Sequence, residues 1–123
     1  MQTGSGSFNM EYSAGSRFKE DKGTNPEELI AAAHAGCFTM ALAGILKNEG
    51  VNFTEVRTDA KVAIEKQNGE YKIIRSELDT HLTADNIDEG KFQKLAEQAK
   101  NNCPVSKALT GVDITLKTKI SKD

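Results

Sequence analysis

Residues 25–48, NPEELIAAAHAGCFTMALAGILKN, decide the fold. Asn25 is a good helix cap, Pro26 suits the first helical position, and Glu27 and Glu28 fall in the first turn, where the helix dipole favours acids. Glu28, three residues past the cap, completes an Asn version of the capping box. Gly50 is placed to stop the helix after Lys47 or Asn48. A helix of this span is roughly 35 Å long, enough to cross a small domain. Between Leu29 and Leu46 only His34 and Thr39 are polar. Such a helix is apolar on all sides and is expected to be buried on most of them. It approaches the length of a membrane span. Its many Ala and Gly residues, its His and the soluble-type segments after it point instead to a core helix, with no membrane partner. Ala31, Ala32, Ala33, Ala35, Gly36, Ala41, Ala43 and Gly44 permit close backbone approach, as between a helix, a sheet and a second copy of the same helix.

Downstream, Phe53–Lys66 and Tyr71–Thr83 flank Gln67-Asn68-Gly69-Glu70. Asn-Gly between two alternating runs is a strong hairpin signal. Val62 and Ile64 alternate with Lys61, Ala63 and Glu65; Ile74, Ser76, Leu78 and Thr80 alternate with Arg75, Glu77, Asp79 and His81. Asp88 caps a helix expected over 89–101, with Phe92, Leu95, Ala96 and Ala99 on one face. A short helix follows Cys103-Pro104 and ends near Gly111. Residues 112–120 alternate as a last strand. Upstream, 7–12 and 15–18 are short strand candidates, and Asp21, Lys22 and Gly23 suggest a turn. The order predicts an α+β fold in which an antiparallel sheet packs on the long central helix.

The chain of 123 residues reads as a single domain, 1–123. Its 16 basic and 18 acidic residues leave a net charge of −2, which excludes a strongly basic nucleic-acid binder. Hydrophobic residues make up only 37%, and that thin apolar share points to association between copies. The first ten residues lack the basic and apolar segments of an export signal. A cytoplasmic location with reduced thiols is therefore expected, and any disulfide should be transient and chemical.

Read singly, the reactive residue types are ambiguous. Cys37, mid-helix among small residues, reads as a buried, inert thiol. Cys103 precedes Pro104 and so caps the short helix, where a thiol is acidified; it can equally be a packed small residue. Arg17 reads as a surface charge and Glu27 as a first-turn acid. His34, three residues before Cys37, can contact that thiol or be a core histidine with its hydrogen bonds satisfied. His34, Cys37 and Cys103 have no standard metal-ligand spacing, so no metal site is expected.

Together these residues carry a resemblance. GTNPEELIAAAHAGCFTMAL (23–42) followed by NNCPVSKAL (101–109) resembles the OsmC/Ohr family of peroxiredoxin-like organic hydroperoxide reductases. AAHAGCF is in the style of the OsmC branch; the Ohr branch more usually carries a Tyr near the place of His34. The resemblance runs from Tyr12 to the last strand. Members usually carry a strand pair ahead of the segment that begins here at Met1, so a shortened sheet is expected.

The resemblance implies an intertwined homodimer with two sites at its interface. It makes Cys37 the peroxidatic cysteine, Cys103 the resolving cysteine, and Arg17 and Glu27 an ion pair that serves the site. The implied activity is a thiol-dependent peroxidase. Cys37 reduces an organic hydroperoxide to its alcohol and becomes a sulfenic acid, Cys103 closes a Cys37–Cys103 disulfide, and a dithiol, by resemblance a lipoyl-bearing protein, reopens it. No cofactor is implied. The physics agrees with a need for a cation: a mid-helix thiolate gains little from a helix end, and Arg17 keeps its charge at any working pH. Glu27 and Cys37 lie about 15 Å apart along one helix. The cluster therefore needs a long reach by Arg17 or a site shared between subunits. Two other readings remain: a small-ligand binder on the same fold, and a thiol redox sensor without peroxide turnover.

Overall fold

The computed structural model describes residues 1–18 and 22–122. Asn25 is extended (φ −145°, ψ 162°), and its Oδ1 accepts from the Glu28 amide at 2.8 Å. Helix formation thus starts where the sequence puts it, at Pro26. The Glu28 carboxylate does not close a capping box: it accepts from Thr24 Oγ1 at 2.6 Å. The helix covers Pro26–Asn48. It ends in a Schellman motif, with Gly50 at φ +73°, Gly50 N–H bonded to Lys47 O at 3.1 Å and Val51 N–H to Leu46 O at 2.9 Å.

Before it lies a short helix, Ala14–Phe18, where the sequence suggests a strand at 15–18. The cause is local. Ser13 and Ser16 cap each other: Ser16 N–H donates to Ser13 Oγ at 3.0 Å, and Ser13 N–H donates to Ser16 Oγ at 2.8 Å. Reciprocal capping commits the chain to a helical turn. We label these helices α1 (14–18) and α2 (26–48). Of the strand expected at 7–12, isolated bridges form, Gln2 with Asn9 and Tyr12 with Thr24. Asp21 of the expected turn lies outside the described residues. Gly23 sits at φ +115°, where an added Cβ would come 2.6 Å from Glu11 O, so only glycine fits. Ser16 Oγ donates to Thr24 O at 2.7 Å, and Asn25 Nδ2 donates to Ser16 O at 3.2 Å. These bonds hold α1 against the start of α2.

Strands β1 (Phe53–Gln67) and β2 (Glu70–Ala84) form the expected hairpin. Asn68 (φ 53°) and Gly69 (φ 82°) are both left-handed, as a type I′ turn requires. The register shifts between Ala63 and Ile64. Helices α3 (Glu89–Asn102) and α4 (Pro104–Ala108) then carry the chain to β3 (Asp113–Ser121). Asp88 caps α3 through the Lys91 amide at 2.7 Å. The sheet order is β1-β2-β3, and β3 runs parallel to β2, with Leu78 opposite Leu116. The sheet is therefore mixed, which corrects the expectation of an antiparallel one. The helical crossover between β2 and β3 returns the chain to the end from which β2 began.

One face of β2 packs inward through Ser76, Leu78, Thr80, Leu82 and Ala84. Phe38, Leu42 and Leu46 of α2 and Phe92, Leu95, Ala96 and Ala99 of α3 complete the core. The central helix is not buried on most sides. Ala31, His34, Phe38, Leu42 and Leu46 form one buried stripe, while Ala32, Ala33, Gly36, Met40 and Gly44 are exposed, Met40 to 79%. This single chain covers about half of α2. The reason is supply: β1, β2, α3 and α4 meet one side of α2, and among the described residues no element crosses the other.

Candidate active site

The folding of α2 and of the α3–α4 corner brings the two cysteines together. Cys37 lies mid-way along α2 and is half-buried. Cys103 is the hinge of the corner: its N–H ends α3 on Ala99 O at 2.9 Å, and its carbonyl accepts from Lys107 N–H at 3.1 Å to open α4. Pro104 at the first position of α4 forces the break, since it offers no N–H to prolong α3. Cys103 is fully buried. Both thiols are free, and each acts on the other through a side-chain hydrogen bond.

This contact sets their acidities. Cys37 is pushed above its ordinary value, first because its proton is engaged by Cys103, with burial and the charge of Cys103 adding; the Val105 amide acts the other way. For Cys103, burial is the largest single influence and opposes ionisation. Bonds from the Cys37 thiol, from the Ser106 amide and hydroxyl, and from the Val105 amide outweigh it, so Cys103 is drawn below its ordinary value. The two thiols interact directly, so their titration belongs to the pair. Cys103 stands at the cap position of α4, as the sequence suggests, and makes no side-chain cap bond there.

Arg17 and Glu27 also meet as expected. Arg17 Nε donates to Glu27 Oε2 at 3.0 Å, and a second guanidinium nitrogen lies 2.5 Å from Oε1, the bidentate fork that orients both groups. The Arg17 guanidinium lies 5.5 Å from the Phe18 ring centroid, and Phe18 stacks at a tilt on Tyr71, 5.0 Å between centroids. This cluster sits at the first turn of α2. The influences on Cys37 come from Cys103, Val105 and burial, not from Arg17. Within one chain, then, the four residues form two pairs, Arg17–Glu27 and Cys37–Cys103.

The hydrogen bonds of His34 go to two serines and not to Cys37. His34 is fully buried, with Nδ1 2.7 Å from Ser76 Oγ and Nε2 2.8 Å from Ser106 Oγ. Burial lowers its pKa, so the ring is neutral at pH 7. Ser76 and Ser106 are residues that the sequence reading passes over. Both left a trace: Ser76 is polar at an inward position of β2, and Ser106 is the third residue of the helix that Cys103 caps.

Two free cysteines thus lie between a long core helix and a helical corner on a mixed sheet, an α+β arrangement. Residues 19–117 match the model of the OsmC-like protein family, and the chain belongs to that family. Among its relatives is the peroxiredoxin OsmC of Escherichia coli (strain K12), 40% identical over 117 residues, covering 94% of this chain and 81% of that protein. The organic hydroperoxide resistance protein OhrA of Bacillus subtilis (strain 168) is 32% identical over 100 residues, covering 80% and 69%. The crystal structure of the organic hydroperoxide resistance protein OhrB of Bacillus subtilis superposes with a TM-score of 0.76 at 28% identity, covering 95% of this chain and 87% of that one. The family names support a peroxide-related redox role.

Proposed function

We propose that the chain is a cysteine-based peroxidase that reduces organic hydroperoxides to alcohols. The observation that carries this reading is the Cys37–Cys103 contact: two free, interacting thiols, one half-buried and one fully buried. The contact supports a balanced cycle. With the proton on Cys103, the Cys37 thiolate attacks the terminal oxygen of the hydroperoxide. The O–O bond breaks, Cys37 becomes a sulfenic acid, and the alkoxide takes the proton from Cys103 and leaves as alcohol. Cys103 is then a thiolate. It attacks the Cys37 sulfur, the S–O bond breaks, and hydroxide leaves as the disulfide forms. A dithiol, in this reading a lipoyl-bearing protein, restores both thiols by exchange.

In the same reading the exposed face of α2 is covered by a second copy, giving a homodimer with its sites at the interface. The Arg17–Glu27 pair then serves a thiol pair across that interface, where a planar, fixed guanidinium stabilises charge on the peroxide oxygens. The need for reduced thiols fits a cytoplasmic location. Turnover of cumene hydroperoxide by the purified chain with dihydrolipoamide as reductant tests the proposal. Sustained alcohol production that is lost in Cys37→Ser supports it. Disulfide formation without turnover would leave a redox sensor, and no reaction would leave a binding protein.

A further inference from the structure

The cycle above makes no use of His34, a fully buried imidazole with both nitrogens engaged. A histidine costs free energy to bury unless its hydrogen bonds are supplied. Here serines from two other elements supply them: Ser76 from β2 at Nδ1 and Ser106 from α4 at Nε2. The chain Ser76–His34–Ser106 continues toward Cys103: Cys103 caps α4, Ser106 stands three residues on in the same turn, and the Ser106 hydroxyl draws the Cys103 thiol down. A neutral imidazole has one N–H and one bare nitrogen, so the directions along such a chain are linked. If the Ser76 hydroxyl donates to Nδ1, the ring carries its proton on Nε2. The Nε2–H then donates to Ser106 Oγ, which leaves the Ser106 hydroxyl hydrogen free to point at sulfur. In the reverse polarity Ser106 donates to the ring, and its oxygen can only receive a proton from Cys103.

We propose that His34, which hydrogen-bonds to neither thiol, is a positioning residue for the second half of the cycle: as the Nε2–H tautomer held by Ser76, it fixes the Ser106 hydroxyl as a donor to Cys103 and so holds Cys103 as the attacking thiolate. The proposal rests on the peroxidase reading. In the step concerned, the Cys103 thiolate supplies the electron pair of the new S–S bond, the Cys37 S–O bond breaks, and hydroxide leaves and is protonated by water. Ser106 and His34 transfer no proton; they keep the nucleophile charged. The hydroxyl stabilises only the form with charge on Cys103. The form that attacks peroxide carries its charge on Cys37, and Cys103 gains charge only as its proton passes to the alkoxide, so the hydroxyl bears on disulfide closure more than on the attack.

The test is a single turnover with one equivalent of cumene hydroperoxide, following peroxide loss and, by acid quench and mass analysis, Cys37–Cys103 disulfide formation. In Ser106→Ala, peroxide loss should slow much less than disulfide formation. Disulfide formation should slow about tenfold, the effect of losing one hydrogen bond to a charged group. Cys37 sulfenic acid should accumulate and be trapped by dimedone. His34→Leu should reproduce this, the double variant should be no slower than either single one, and His34→Gln, which replaces the Nε2 donor, should recover most of the rate. Ser106 is half-exposed on α4, so Ser106→Ala carries the test even if His34→Leu fails to fold. Disulfide formation unchanged or faster in Ser106→Ala, equal slowing of both steps, or additive losses in the double variant would overturn the proposal while leaving the peroxidase reading intact. A parent chain that consumes no peroxide, or forms no disulfide, would overturn both.

Discussion

Gly36→Leu changes a residue that the single chain barely notices. Gly36 lies on the exposed face of α2, and a Cβ built there meets nothing within 4 Å; the same holds for Gly44, two turns on. Judged on one chain, the substitution is favourable, because leucine is better than glycine in a helix interior by somewhat under 1 kcal/mol. With a second copy packed on this face the sign reverses. Small residues at 33, 36 and 44 let two helix backbones approach, and four extra carbons at the closest point cost about 1–3 kcal/mol of overpacking. That is roughly a 5- to 150-fold weakening of the dimer at about 1.4 kcal/mol per tenfold. The assay is light scattering over a dilution series, paired with thermal melting. The parent should weigh twice 13.4 kDa at micromolar concentration. Gly36→Leu should move toward 13.4 kDa, keep its helical spectrum and lose peroxidase activity as it dissociates. A parent that is active as a 13.4 kDa monomer, or a Gly36→Leu chain that stays dimeric with full activity, would refute the reasoning.

Three further outcomes follow. Cys37→Ser should abolish peroxide reduction, whereas Cys103→Ser should react once and stall at sulfenic or over-oxidised Cys37; mass spectrometry after one equivalent of peroxide separates them, and equal loss of the first turnover in both would reject the assignment of roles. Arg17→Ala should slow peroxide attack with the fold intact by circular dichroism, and Arg17→Lys should rescue it only in part because a point charge lacks the planar fork that grips Glu27. His34 should make stability fall on acidification: its folded pKa is lowered by burial, so below the ordinary value of 6.5 the unfolded chain binds a proton that the folded one refuses. Denaturant melts should lose up to about 1.4 kcal/mol per pH unit below that point and stay flat above it on this account, with the dependence reduced in His34→Gln.

Much of this architecture was legible because its determinants are local. Asn25, Pro26 and Gly50 bound α2 within a few residues, and Asn68-Gly69 fixes a two-residue hairpin by backbone preference alone. Direction is not local. The alternation of Ile114, Leu116, Thr118 and Ile120 is the same for a parallel as for an antiparallel strand, so the pairing of β3 with β2 had to come from the crossover. The 14–18 helix was hidden by Gly15 and by serines whose mutual capping outweighs their weak helix preference. A helix apolar on every side carries no sign of which stripe its own chain covers, so the exposure of Met40 was not readable from α2.

The site divides in the same way. The two cysteines, Arg17 and Glu27 stand in motifs that can be matched position by position. The serines that engage His34 do not: Ser76 is 42 residues from it and Ser106 is 72, and their meeting depends on how β2 and α4 pack around α2. Arg17 and Glu27 form their fork within one chain, and their service to the thiols belongs to the proposed assembly.

The central claim is that Cys37 and Cys103 pass through a sulfenic acid to a disulfide at the expense of a hydroperoxide. Intact-mass and peptide analysis of the reduced chain after one equivalent of cumene hydroperoxide tests it most directly. The account predicts one alcohol formed per chain, the loss of two hydrogens, and a peptide linking Cys37 to Cys103. Alcohol formed with both thiols still alkylatable, or a stable oxygen adduct on Cys37 with no link to Cys103, would contradict it.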